Sequence, residues 1–228
     1  MIEEGLKRLG ISGGDRVLSL LEKYIKEIEL FNTAYDLVKV KDRDELIIKH
    51  ILDSLAPLDI LLSLQSRHKN CRIADIGSGA GLPGIPLAIC MPEARFTLVE
   101  RMGRRAGFLR DALAILGLPN VKVEESEMEK LSLNMPAESR FNIIVFRAFK
   151  PMEPVLLKKL SKLLKPDGIL AAYKGRRESI DEEINAVFTA AENKAGLSIN
   201  SCEIIPLKVP FLDDERHLVV INPEKFPH

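Results

Sequence analysis

The stretch RIADIGSGAGLPGIPLAI, residues 72–89, places four glycines (Gly77, Gly79, Gly81 and Gly84) within eight positions, directly behind a short apolar run. A glycine turn this dense, after a strand pattern and before a helical one, removes side chains where something must approach the backbone. Strand, glycine turn and helix in that order build a ligand crevice in an α/β sheet. Gly79, Gly81 and Gly84 satisfy GxGxxG, while Gly77, Gly79 and Gly81 equally satisfy GxGxG, and the pattern alone does not choose between them. Glu100 ends the next apolar run, RFTLVE, about twenty residues beyond the glycines. A carboxylate there can accept both hydroxyl hydrogens of an adenosine ribose.

Two adenosine ligands stay open on these residues. NAD brings a pyrophosphate to the helix N-terminus, whereas S-adenosylmethionine brings a zwitterionic methionine and a sulfonium. Asp75, just ahead of the first glycine, repels a pyrophosphate and can support a ligand ammonium, which favours S-adenosylmethionine. Equally, it can cap the glycine loop without meeting a ligand. A branched side chain at Gly79 is expected to block the ligand while leaving thermal stability nearly intact.

Around the crevice, short β-rich runs alternate with helical stretches: RIADI, RFTLVE, VKVEES, FNIIVF, GILAAYK, NSCEII and HLVVI. That rhythm predicts a mostly parallel sheet with helices on both faces, at 83–90, 104–116, 153–164 and 178–195. The connection PLKVPFLDDER is short and holds two prolines, so the last two strands pair antiparallel. Residues 15–31 and 44–64 are apolar at helical spacing, the second segment broken at Pro57. The chain therefore divides into a helical extension over 1–70, packed on a ligand-binding domain over 71–228.

Composition excludes several classes. With 46% apolar and 29% charged residues, and no long apolar run or signal-peptide pattern, the expectation is a soluble cytoplasmic protein without membrane association. Thirty-three basic residues balance thirty-three acidic ones, so a polyanionic partner must be met by a local patch. Cys71, Cys90 and Cys202 are scattered and read as reduced thiols near the core. His50, His68, His217 and His228 form no ligand spacing, and no metal site is expected.

The segments HILDSLAPL, DIGSGAGLPGIPLAI, FTLVE, FRAF, YKG and DERHLVVI occur in the order seen in the RsmG (GidB) family, which this chain resembles over most of its length. The resemblance implies a class I (Rossmann-like) methyltransferase fold, a seven-stranded mostly parallel sheet with an antiparallel last strand, flanked by helices. It implies S-adenosyl-L-methionine as cofactor and methylation of N7 of a single guanine, guanine 527 in standard numbering, in 16S ribosomal RNA. The partner is then 16S rRNA or the 30S subunit, with no DNA, and the protein acts as a monomer. By the same similarity Gly77 and Leu82 line the cofactor pocket, Met128 and Glu129 sit beside the adenine, and Arg147 closes the site as its catalytic candidate. Asp75, Gly79, Gly81 and Glu100 complete the cofactor set. The chain departs from the family pattern at Ala80, Asn142 and Phe146, and its 176–196 segment is longer than the family's. Asn142 cannot ionise, so no carboxylate base acts at that position.

Guanine N7 has an in-plane lone pair and no proton to remove, so alignment rather than deprotonation carries the reaction. Arg147 ends the run FNIIVF, where open sheets place ligand-contacting groups, and can hold a carboxylate, a phosphate or a base edge. Arg101, Arg104 and Arg105 follow Glu100, with Arg110 farther on; Lys174, Arg176 and Arg177 follow the fifth run, and Arg216 heads the last. These arginines and Lys174 are the candidate RNA contacts, whereas KKLSKLLK reads as a solvated helix face. His50 and Asp53, three apart on a helix, are expected to pair with each other or with the glycine-loop domain. A methyltransferase with another acceptor and a non-catalytic RNA-binding module remain as alternatives. A nicotinamide dehydrogenase trails for want of a hydride-transfer constellation.

Overall fold

FNIIVF and RIADI are apolar at consecutive rather than alternate positions, the mark of strands covered on both faces. In the computed structural model, which describes residues 1–12, 14–147, 151–192 and 201–223, they become two adjacent central strands, β1 (Arg72–Ile76) and β4 (Phe141–Arg147). Around them lie β2 (Arg95–Glu100), β3 (Val121–Glu125), β5 (Leu164–Lys174), β6 (Cys202–Leu207) and β7 (Arg216–Ile221). The seven strands run in the order β3-β2-β1-β4-β5-β7-β6. Neighbours from β3 to β5 are parallel, and β7 is antiparallel to both β5 and β6. The inserted antiparallel strand brings the start of β7 to the edge where β4 and β5 end, with Lys174 opposite His217 and Arg147 opposite Tyr173.

Successive residues of each strand go to opposite cores. Ile73, Ile143, Val145, Ala171 and Leu218 join one apolar cluster; Ala74, Ile144, Phe146, Ala172 and Val219 join the other. The second is closed by α8 (Met128–Asn134), α9 (Pro154–Ser161) and α10 (Arg177–Glu192), through Met128, Leu157, Leu160 and Val187. The first is closed by α6 (Gly84–Cys90) and α7 (Gly103–Leu116), and then by a second layer from the N-terminal extension. That extension comprises α1 (Ile2–Arg8), α2 (Gly14–Tyr35), a long segment from Arg43 to Leu55, and α5 (Leu58–Gln65) beyond Pro57. Helix α2 spans more than 15–31, and its apolar stripe (Leu21, Tyr24, Ile25, Ile28) is fully buried. Phe31 packs edge-on against Phe108 of α7.

The segment 43–55 is not a plain α-helix. Two short α-helical pieces, α3 (Arg43–Leu46) and α4 (Asp53–Leu55), flank a π-helical turn at Ile47–Leu52. Helices α1 and α8 are too short to show a period and were not foreseen from the sequence. The rest of the predicted 178–195 helix, beyond Glu192, lies outside the described residues. The cysteines are free; burial pushes the thiols of Cys71 and Cys90 up to about 11 and about 12, and that of Cys202 also upward. Among the described residues, no helix is long and apolar enough to cross a membrane and no cluster suits a metal ion. Asn142 sits at the start of β4, where its side-chain oxygen accepts from the Arg72 N–H and the Lys165 ammonium. Its departure from the family pattern therefore falls at the strand end away from the glycine turn.

Two buried phenols fasten the extension to the sheet domain. Tyr24 Oη donates to the Ala80 carbonyl (2.7 Å), inside the glycine turn, and Tyr173 Oη donates to the Ser54 carbonyl (2.8 Å). Burial raises both phenol pKa values far above the usual 10, so both remain neutral donors. Changing either tyrosine to Phe orphans a buried carbonyl, at about 1–3 kcal/mol. Calorimetry on Tyr24→Phe and Tyr173→Phe is expected to show melting temperatures lower by roughly 2–10 °C.

Candidate cofactor and substrate site

The turn between β1 and α6 is tied to β2 through its backbone. The N–H groups of Gly77 and Ser78 donate to the Val99 carbonyl (2.9 and 3.1 Å), and Gly79 N–H donates to Glu100 Oε2 (2.9 Å). Gly77, Gly79 and Gly81 all have positive φ, so the GxGxG triplet makes the turn. Gly84 serves differently, since a Cβ there would stand 2.4 Å from Leu98 and 2.7 Å from Asp75 Oδ2. Its absence lets α6 approach β1 and β2. Both overlapping patterns are thus used, one for the turn and one for packing.

Beside the turn lies a cavity of about 500 Å³ lined by Ile76, Gly77, Val99, Glu100, Arg101, Met102 and Arg105, and closed by residues 126–129. Its volume is that of a small-molecule site. Glu100 is almost buried; Oε1 accepts from Met102 N–H (2.8 Å) and Oε2 from Gly79 N–H. A carboxylate has about four lone-pair directions, so two remain for ribose hydroxyls. Met128 is buried on the wall, whereas Glu129 is exposed and ion-paired with Lys159 (2.9 Å). Arg101 and Arg105 reach the cavity mouth. Arg104 is exposed away from its lining, and Arg110 is tied to Glu125 (2.7 Å). This wall fits an adenosine ligand through the Glu100 carboxylate, an apolar flank and a side-chain-free turn.

Other sequence-selected residues stand behind the wall. Asp75 is fully buried, with Oδ2 accepting the Gly84 N–H (2.9 Å) and Oδ1 without a partner; the geometry is that of the loop cap. Gly81 and Leu82 turn toward the core, where Leu82 joins the apolar cluster under α6. The expectation that a branched side chain at Gly79 spares stability is corrected: φ there is +57°, a conformation costly for any L side chain and worst for a β-branched one.

Arg147 belongs to a second cavity, of about 550 Å³, over the ends of β4 and β5 and the start of β7. Lys39, Lys49, Arg147, Lys174 and Arg216 line it, with Asp53, His50, Tyr173 and His217. Lys174 is mostly buried and paired with Glu183 (2.6 Å), and Arg176 is exposed outside the lining. Arg147 Nη1 donates to Asp53 Oδ2 (2.9 Å) and to the Lys49 carbonyl (3.1 Å), and its Nη2 meets His50 Nδ1 at 2.9 Å. A guanidinium only donates, so His50 Nδ1 is a lone-pair acceptor and the ring is neutral. Burial and the Arg147 charge, in that order, push the His50 pKa down to about 4, in agreement. His50 and Asp53 thus face the sheet domain through one arginine. Their spacing in the sequence hinted at a shared face, but nothing local pointed to Arg147, 94 residues from Asp53.

The comparison with known sequences is decisive here. The GidB profile, described as rRNA small subunit methyltransferase G, matches residues 17–219. The chain belongs to the GidB family. Ribosomal RNA small subunit methyltransferase G of Treponema denticola is 36% identical to this GidB chain, over 96% of it and 92% of the relative. The protein of the same name in Cellvibrio japonicus is 35% identical, over 97% and 93%. Among solved structures, the O-methyltransferase from Bacillus cereus in complex with SAH superposes with a TM-score of 0.59 at 17% identity, covering 87% of this chain and 90% of that one. TomG, an O-methyltransferase from Streptomyces achromogenes in complex with SAM, gives 0.57 at 18%, covering 89% and 88%. At these identities the structures establish the fold, which in this GidB protein is the class I methyltransferase fold with its antiparallel seventh strand.

Burial pushes the Asp75 carboxyl up to about 7, against the opposing pull of the Gly84 N–H and Arg147. An acid whose folded-state pKa exceeds its unfolded value holds its proton better when folded. Its contribution to stability is full below about pH 4 and is lost as pH rises through about 7. His50, whose pKa is pushed down to about 4, changes stability in the opposite sense below its ordinary 6.5, so the Asp75 contribution is read from the difference between wild type and Asp75→Asn. Urea unfolding of the two ligand-free proteins between pH 5 and 8 is expected to show wild type losing stability relative to Asp75→Asn as pH rises; parallel pH profiles would remove Asp75 as a source of pH dependence.

Proposed function

We propose that this protein transfers the methyl group of S-adenosylmethionine to N7 of a single guanine in the 16S rRNA of the small ribosomal subunit. It is a small-subunit rRNA methyltransferase by family; the acceptor atom, the 30S-level substrate, action as a monomer and a cytoplasmic location extend that reading. The observation that carries it is the pairing, on one edge of the sheet, of a carboxylate-bearing adenosine cavity with a cationic one.

S-adenosylmethionine, when bound, supplies an electrophilic methyl on a positively charged sulfur. Glu100 would hold the ribose, Gly77 would give the ligand backbone clearance, and Met128 would flank the adenine. Guanine N7 offers its lone pair without losing a proton, so no residue need act as a base, and positioning is the main task left to the chain. Lys39, Lys49, Lys174 and Arg216 line a cavity suited to RNA phosphates. The Nε–H and second Nη2–H of Arg147 remain for a base edge such as guanine O6. Arg101 and Arg105, at the first cavity's mouth, extend the basic surface toward neighbouring phosphates.

The test is transfer of tritiated methyl from S-adenosylmethionine to 30S subunits lacking their own modification at this site, with mapping of the labelled nucleotide. Label at one guanine N7, reduced at least about ten-fold in Arg147→Ala, is expected. Tight cofactor binding without label would redirect the search to another methyl acceptor. Removing one charge-assisted hydrogen bond costs about 1.5–3 kcal/mol, so Glu100→Gln is expected to weaken S-adenosylmethionine binding by about 10- to 100-fold in calorimetry.

A further inference from the structure

We infer that Asp53, carried on the N-terminal extension, is a positioning residue: its carboxylate sets the orientation and net charge of Arg147 and Arg216 at the substrate cavity. The inference rests on the proposed methyl transfer for its kinetic consequence, but its geometry stands apart from the choice of acceptor. Asp53 is 5% exposed and divides its oxygens between two strands. Oδ2 accepts from Arg147 Nη1 at the end of β4 (2.9 Å), and Oδ1 accepts from Arg216 Nε at the start of β7 (3.0 Å). One carboxylate thus spans both walls of the cationic cavity.

The backbone around it serves the same clamp. In the π-helical turn the Asp53 N–H bonds the carbonyls of His50 and Ile48 and passes over Lys49. The Lys49 carbonyl instead accepts Arg147 Nη1 (3.1 Å), while His50 Nδ1 accepts Nη2. A regular α-helix would commit the Lys49 carbonyl to the Asp53 N–H. The local distortion therefore presents three acceptors, from positions 49, 50 and 53, to one guanidinium. Interruptions of this type recur at functional sites.

Charge gives the arrangement a second consequence. Methylation at N7 leaves the guanine positively charged, and two uncompensated guanidinium groups beside it would oppose the transfer. Asp53 offsets one of them and fixes the direction of both. Replacing it by Asn raises the positive charge of the cavity, which favours RNA phosphates, while releasing the arginines. A side chain that only supported the fold would not separate binding from turnover in that way.

The experiment measures Asp53→Asn for methyl transfer to unmodified 30S subunits, for S-adenosylmethionine affinity and for melting. The expected result is a kcat lower by about ten-fold or more, with KM for the subunits unchanged or lower and cofactor affinity within about two-fold. A folded variant with wild-type kcat overturns the inference, as does a loss of activity that merely follows a loss of cofactor affinity or of folded protein. A second measurement needs no substrate. In arginine-selective nitrogen-15 spectra, the Arg216 Nε–H resonance, assigned by its absence in Arg216→Lys, is expected to exchange slowly in the wild-type protein. An Nε–H exchanging as in free arginine overturns the clamp whatever is methylated. A protected Nε–H in a protein that methylates no 30S subunit overturns the acceptor and leaves the clamp standing.

Discussion

The central strands β1 and β4 are apolar on both faces, and that constraint decides where polar chemistry can appear. Inside the sheet an ionised side chain would meet mostly packed hydrocarbon, and Asp75, the acid within β1, has its pKa raised by that burial, so charged groups collect at strand ends. Glu100, Arg147 and Lys174 are each the last residue of a parallel strand, and Gly77 is the residue after one. Arg216 is the first residue of β7, which reaches the same edge only because β7 runs the other way. The antiparallel insertion is therefore part of the site's construction. It supplies a second arginine opposite the first.

The three acids Asp53, Asp75 and Glu100 are all nearly inaccessible, yet they are solvated by the protein in different ways. Glu100 takes two backbone N–H groups, and Asp53 takes two guanidinium groups. Asp75 has one N–H for one oxygen and nothing for the other, and its full burial raises its affinity for a proton against the pull of that N–H. A sequence shows three carboxylates of the same type; the number of donors aimed at each is what distinguishes them.

Much of the fold could be read before the structure, because long apolar runs carry their own period. All seven strand runs became strands, and the break at Pro57 and the antiparallel pair near the C-terminus followed from proline and connection length. The cavity beside the glycine turn was legible through Glu100 and the glycines, since strand–turn–helix geometry is local. What escaped was either short or distant. Helices α1 and α8 span too few turns to establish a period, and the π-helical turn shifts register by a single residue within an apolar segment that still reads as helix. The inward turn of Leu82 and Asp75 depends on how tightly α6 packs against Leu98, a contact between elements. The assembly at Arg147 joins residues 94 apart, and only the folded extension brings them together.

That extension also explains how a chain with no net charge presents a cationic cavity. Several of its acids pair with its own bases: Glu4 with Arg8, Glu22 and Glu29 with Arg43, and Glu45 with Lys49. These pairs are substantially exposed, so salt and solvent weaken them. Asp53 is the exception, buried where screening is least. Long-range steering of a polyanion is therefore modest, and the local field at the sheet edge is that of several bases partly offset by one buried carboxylate. The extension accordingly does more than cover an apolar face. It carries the buried carboxylate that accepts from both Arg147 and Arg216 at the sheet edge.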